Sequence, residues 1–235
     1  MANIDKQGKV GPEGFAGTSF DQVAPLSRPQ APAAQCNIWD DDCATMGYAG
    51  ADGMAGTNGG LGGDGTNGAM SIFEIGLLDF SVSFNVRGGN GGAGGRGGNG
   101  QHGGAGGQGG DGRECEFPRN GGKGGKGGDA GGGGPGGNGG RGGRITLLYK
   151  QGLALPVIDI DNSGGSRGLP GPPGVPGFRG EPGGQGQGGG EFSSSSDCEN
   201  SGPVPDFGAP GNVLPSGGPG QTGADGPEPE KKQVA

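Results

Sequence analysis

Between residues 88 and 143 the chain repeats Gly-Gly-x almost without interruption. Eight triplets start at Gly88, the eight residues 113–120 (RECEFPRN) break the pattern, and eight more triplets start at Gly121. A period of three fits neither the α-helix nor the strand. It fits the polyproline II conformation, which rises about 3.1 Å per residue, so that eight triplets span roughly 75 Å. Such a segment makes no internal hydrogen bonds, and its N–H and C=O groups must find partners elsewhere. Water supplies them in a flexible linker. Neighbouring segments supply them in a packed bundle, which requires residues without Cβ on every buried face. G-G-x leaves two faces bare and suits an inner member. G-x-y leaves one bare and suits an outer member. Glycine's conformational entropy opposes ordering by about 0.5–1 kcal/mol per residue relative to alanine. Interchain-segment bonds must offset this in number. The strict phase of the triplets favours the bundle.

Composition narrows the class. The 235 residues include 69 Gly and 19 Pro, a share that excludes an ordinary globular domain. Apolar residues are too few and scattered for a large core. The net charge of −8 is uneven: residues 87–150 hold nine Lys/Arg and four Asp/Glu, a local +5, which leaves −13 on the remainder. Acidic flanks around a basic centre favour compaction or self-association. The overall acidity argues against nucleic acid as the partner, despite RGG-like triplets at Arg87, Arg96 and Arg141.

Along the chain, residues 1–46 read as an extended N-terminal arm with a cysteine loop. MANIDKQGKV shows no apolar h-region, so no cleavable signal is expected, and neither is membrane insertion. Cys36 and Cys43 are spaced to close a small disulfide loop anchored by Trp39, with Asp40, Asp41 and Asp42 as a solvated acidic turn. Residues 47–191 form the glycine-rich body. Its expected rods are 47–70, 88–112, 121–144 and 165–191, and its expected strand regions are 71–87 and 145–160. In 71–87, Leu78, Phe80, Val82, Phe84 and Val86 alternate with polar residues, and Ile145, Leu147 and Tyr149 do the same after the second G-G-x rod. If the short break at 113–120 turns the rods antiparallel, the two strands lie at one end and pair there. Phe80, Val82, Phe84, Ile145, Leu147 and Tyr149 then make an apolar patch that other segments or a second subunit must cover. The tract 165–183 resembles collagen, but its length suits an outer member of the same-chain bundle. Residues 192–235 are a polar loop and a Gly/Pro tail, ending in PEPEKKQVA, expected to be disordered.

No chemistry-bearing constellation stands out. V-R-G-G-N-G-G matches a dinucleotide pattern only by composition, since glycine continues where a helix must follow. The one histidine, His102, occupies an x position expected to face solvent. The cysteines Cys36, Cys43, Cys115 and Cys198 lack zinc spacing and read as disulfide candidates or free thiols. No enzyme, cofactor or metal is expected.

The G-G-x tracts, with triplets such as GAD, GTN and GGN, resemble the polyglycine II bundles found in the snow-flea antifreeze protein, the Obg GTPase N-terminal domain and phage tail-fibre adhesins. The resemblance implies a fold class: a non-α bundle of antiparallel polyglycine/polyproline II helices with a little antiparallel β-structure at one end. It carries no functional residues across. Two functions remain in view. One is a rigid structural protein that self-assembles into a filament, sheath or surface layer, with itself as partner. The other is an adhesive or ice-binding module presenting an exposed face or tip loops.

Overall fold

The computed structural model describes residues 2–20, 24–25, 28–37, 42–78, 80–151, 157–189, 208–212 and 214–234. Its regular elements are six strands: β1 (Ala2–Asp5), β2 (Met70–Leu78), β3 (Val82–Asn85), β4 (Arg144–Gln151), β5 (Ile158–Asp161) and β6 (Glu230–Gln233). They form two three-stranded sheets, ordered β1-β3-β5 and β2-β4-β6. Every strand pair is parallel.

This corrects the expected fold class. The described residues contain no helix, and the β-structure is parallel, not antiparallel. A bundle of polyglycine II helices capped by an antiparallel strand pair is therefore not what the chain forms. The reason for the parallel pairing lies in the path of the chain. Six glycine-rich tracts connect the strands: tract I (6–20), tract II (45–69), tract III (86–112), tract IV (119–143), tract V (162–187) and tract VI (208–226). Tracts I, III and V leave β1, β3 and β5, whereas tracts II, IV and VI lead into β2, β4 and β6. The chain changes layer at each connection. Neighbours within a layer are two connections apart and run the same way. The region 71–87 thus divides into β2 and β3, in different sheets, and 145–160 divides into β4 and β5 in the same manner. The tail expected to be disordered supplies β6 at residues 230–233.

The strands form where the triplet frame gives way to alternation of period two. Val82 and Phe84 point inward while Ser83 and Asn85 do not, and Ile145 and Leu147 are buried beside half-exposed Thr146 and Leu148. Leu78, Val82, Phe84, Val86, Ile145 and Leu147 make one fully buried cluster between the sheets. Ile4, Phe73, Ile75, Tyr149, Ile158 and Ile160 pack around it. The Phe73 and Phe84 rings lie 4.8 Å apart, tilted by 49°. Burial of each such side chain contributes about 1.5–3 kcal/mol, so this small cap is the apolar core of the chain.

Away from the cap the tracts are held by backbone. Within a layer, Gly11 and Gly14 donate to the carbonyls of Asn90 and Ala93, and Gly91 and Gly94 donate to those of Ser166 and Leu169. Between layers, Gly92 and Gly95 donate to Gly63 and Gly60, and Gly137 and Gly134 donate back to Gly92 and Gly95. Partners ascend together within a layer and in opposite senses between layers, so tracts III and IV run antiparallel. The collagen-like tract V is part of this same network: Gly165, Gly168 and Gly171 donate to Gly140, Gly137 and Gly134 of the same chain. It is not a collagen-type segment.

At the end remote from the cap, Cys36 is bonded to Cys115, with the Cα atoms 5.9 Å apart. The sequence spacing had suggested Cys36 with Cys43; instead, the bond ties the arm to the turn between tracts III and IV. Cys43 is also disulfide-bonded. Trp39, Asp40, Asp41 and Cys198 lie outside the described residues.

A Cβ on Gly95 would land on the Phe15 carbonyl oxygen, and one on Gly125 on that of Ala51, whereas one on Gly184 meets nothing within 4 Å. Gly95→Ala or Gly125→Ala is expected to lower the thermal midpoint sharply or prevent folding. Gly184→Ala is expected to leave stability unchanged or raise it by about 0.4–1 kcal/mol through the unfolded chain. Equal midpoints for the two kinds of variant in a thermal melt would contradict this packing.

Candidate interaction surface

The glycine N–H groups find carbonyls of neighbouring tracts. At many outward-facing positions the N–H is met instead by a side chain of the neighbouring tract. Asn90 and Asn99 accept from the N–H groups of Ser166 and Val175 at 2.9 Å each. His102 Nδ1 accepts from Phe178 at 2.9 Å and Asp111 accepts from Gln187 at 2.8 Å. In the other layer, Asp52, Asn58, Asp64 and Asn67 accept from Lys126, Gly132, Asn138 and Arg141 at 2.7–2.8 Å. Asp129 and Asn138 pass the pattern on to Asn212 and Gln221 at 2.8 Å each. Every one of these acceptors serves the next tract of its own layer. These Asn, Asp and His positions therefore stitch the layers and are not idle solvent-facing sites. His102 belongs to this set, and its ring also lies 4.9 Å from that of Phe178. Asn and Asp at three-residue spacing, as in GTN, GGN and GGD, were the visible signal.

The acceptors shape local electrostatics. The Asn212 N–H, followed by the Lys126 ammonium at 3.1 Å, holds the Asp129 carboxyl below the ordinary carboxylate range. At Asp161, burial pushes upward, but the Ser163 hydroxyl and N–H and the Arg87 guanidinium outweigh it and the net direction is down. Arg87 lies 3.6 Å from Asp161.

The two outer faces of the cap differ. On the β1-β3-β5 sheet the register aligns Asn3, Ser83 and Asp159, then Asp5, Asn85 and Asp161. This face is polar and acidic. On the β2-β4-β6 sheet the outward rows are Met70 with Arg144, then Ile72, Thr146 and Glu230, then Glu74, Leu148 and Lys232. Glu230 pairs with Arg144 and, at 3.6 Å, with Lys232. Met70 is 79% exposed and Ile72 74%. Parallel sheets are almost always covered on both faces, so exposed Met70 and Ile72 on an open one are unusual.

The sheet edges differ as well. β1, β5 and β6 have four residues each, whereas β2 has nine. β5 (IDID) and β6 (EKKQ) carry charges at half or more of their positions, and β1 ends on Asp5. β2 (MSIFEIGLL) carries only Glu74 and pairs, among the described residues, with β4 alone.

The residues expected to form a self-association patch are divided by the fold. Val82, Phe84, Ile145 and Leu147 are fully buried in the cap, Tyr149 is half-buried against it, and Phe80 is 44% exposed. The exposed apolar residues at this end include Met70, Ile72, Leu77, Phe80, Val157 and Val234, and of these only Phe80 belongs to the patch expected from sequence. Alternation marks which strands have an apolar face, but β2 is apolar on both, so the pattern alone does not say which side is covered. Among the described residues no three His, Cys, Asp or Glu side chains are grouped to hold a metal ion. Among the described residues no helix is long and apolar enough to cross a membrane.

No family model and no curated protein matches this chain. Among solved structures, it is similar to a springtail antifreeze protein from Granisotoma rainieri, described as a bundle of nine polyproline type II helices. The identity is 28%, over 66% of this chain and 97% of that one, with a TM-score of 0.14.

Removing one stitching acceptor leaves a backbone N–H to water and loses a hydrogen bond. Asn138→Ala is expected to cost about 0.5–1.5 kcal/mol in denaturant unfolding, with Asn138→Asp restoring most of it. Because the Asp129 carboxyl is held low in the folded state, it contributes stability at neutral pH. That contribution begins to fall below the ordinary carboxylate range and is gone once pH has dropped through the lowered folded value. Asp129→Asn should therefore flatten the acid side of the stability profile, read as thermal midpoints from pH 7 down to pH 2.

Proposed function

We propose that this chain is a non-enzymatic structural protein, a rigid slab that self-assembles into a larger filament, sheath or surface layer. One observation carries the reading: on the open outer side of the parallel β2-β4-β6 sheet, Met70 and Ile72 stand exposed at the β2 edge beside half-buried Leu148, on a face otherwise charged. Exposed apolar side chains grouped at an open edge invite a second surface. The body is suited to a mechanical role. Its length is spanned by tracts whose backbone groups bond to neighbours at every third residue on several sides, which resists bending. Negative-stain electron microscopy of the purified chain at neutral pH, with sedimentation over a concentration series, tests the reading. Filaments, sheets or concentration-dependent oligomers are expected. Monodisperse single particles at every concentration would overturn it.

A second reading, a binding module, has one observation in its favour. Leu169, Val175 and Phe178 stand exposed at multiples of three residues along tract V, by 65%, 43% and 69%. Their common spacing places them on one line of a flat face. Thermal hysteresis in ice growth or retention on a glycan surface, abolished by Phe178→Ser with Val175→Ser, would shift the assignment to this reading.

A further inference from the structure

We infer that β2 is the self-association edge, and that its occupant is β2 of a second copy, paired antiparallel about a twofold axis. The inference rests on the self-assembling reading above and names the contact.

An open strand edge presents a row of unpaired N–H and C=O groups, and folded proteins blunt such edges by shortness, charge or cover. In this cap three of four edges are treated in that way. β1 and β5 are four residues long and bear Asp5, Asp159 and Asp161. β6 is four residues long and bears Glu230, Lys231 and Lys232. β2 alone is long, and Glu74 is its only charge. A partner edge must supply unpaired backbone groups over several residues without bringing charges into the contact. Pairing β2 with β1 or β5 of another copy sets Glu74 against carboxylates, and β6 is too short to cover it. The edge that fits β2 is β2 itself.

The sequence of β2 selects a register. Its regular pairing with β4 runs from Met70 to Ile75 and is interrupted between Ile75 and Leu77. A twofold axis at Phe73 sets Ile72 of each copy opposite Glu74 of the other, and Met70 opposite Gly76. The two Glu74 carboxylates are then not direct neighbours, whereas an axis at residue 74 would place like charges face to face, which is destabilising. On the outer face, the two Ile72 side chains are diagonal neighbours across the axis. On the inner face, Phe73 meets Phe73 and Ser71 meets Ile75, which extends the apolar layer between the sheets across the axis.

The placement is also sterically open. β2 lies on the flank shared with β1, because tract I bonds tract II: the N–H groups of Thr66 and Gly63 donate to Lys9 and Pro12. Tract II enters β2 from one direction only. An antiparallel partner therefore sends its own tracts off the opposite way. The result is a six-stranded sheet, β6-β4-β2 joined to the same three strands of the second copy, at the centre of a rod nearly twice the length of one chain. Such a contact is closed and isologous, and growth beyond the pair needs a second surface.

The test is sedimentation velocity on the full chain and on the double variant Met70→Glu with Ile72→Glu, which sets a like charge at position 72 of each copy opposite Glu74 of the other. Both side chains are largely exposed, so the variant is expected to melt like the parent, and its melt is recorded alongside. The parent is expected to form a dimer and the variant to weaken it by about 100-fold or more, a shift of roughly 2.7 kcal/mol. Ile72→Cys with Glu74→Cys adds a readout of register. Under oxidation this double variant is expected to give a covalent dimer, and each single variant far less. If parent and glutamate variant associate equally, the edge assignment is overturned while the self-assembling reading stands. If the parent stays monomeric throughout, both are overturned. A covalent dimer from the single Ile72→Cys variant as readily as from the double overturns the register.

Discussion

Everything in this molecule depends on hydrogen bonds between backbones that approach one another because no Cβ intervenes. In tracts III and IV almost every glycine is buried, and a methyl group at Gly95, Gly125, Gly128 or Gly134 would sit on a carbonyl oxygen of a neighbour. Glycine makes these tracts entropically expensive to order, and it also makes the bonds possible. The exceptions follow the same rule. Gln101 stands in a column otherwise held by glycine, and its N–H keeps the column's bond by donating to the Met54 carbonyl. Ala130 breaks the other inner tract, and in that row tract VI carries Leu214 where its own frame calls for glycine, with a long N–H contact to Ala130 of 3.4 Å.

Hydrogen bonds of this kind fix spacing and direction but bury little apolar surface. The cap supplies the missing element. Six fully buried side chains between two short sheets hold the start of one layer to the end of the other. A disulfide joins the arm to the turn at the far end, across 79 residues of sequence. The slab is thus fastened at both ends by non-local contacts and along its length by backbone. The polar x positions add a third tie, directional within each layer, through Asn, Asp and His acceptors. The same residues that look like a solvated surface in the sequence are committed to neighbouring tracts, and this reduces what the broad faces have left for a ligand. The cap is different: β2 keeps Met70 and Ile72 exposed and, among the described residues, an unpaired edge, and the functional reading turns on them.

The sequence by itself determined the elements. The triplet frame sets which segments lack Cβ and on how many sides, because one glycine per three residues clears one face and two clear two. The break at 113–120 fixes a reversal between tracts III and IV, and the alternation at Val82–Phe84 and Ile145–Leu147 fixes which side of β3 and β4 is buried. The tertiary structure decided what pairs with what. Local pattern carries no information on whether consecutive strands share a sheet, so an antiparallel pair was expected where two parallel sheets form. Nor does spacing decide disulfide partners, and Cys36 is joined to Cys115 across the sequence and not to nearby Cys43. A strand that is apolar on both faces gives no sign of which one is covered. Only the packed layers show that Phe73 and Ile75 turn toward the core, that Met70 and Ile72 stay outside, and that six residues expected on one open patch are for the most part the interior of the cap. The physical reason is common to all three: each depends on contacts between residues far apart in the chain, and the short-range regularities of glycine, charge and apolarity are silent on those.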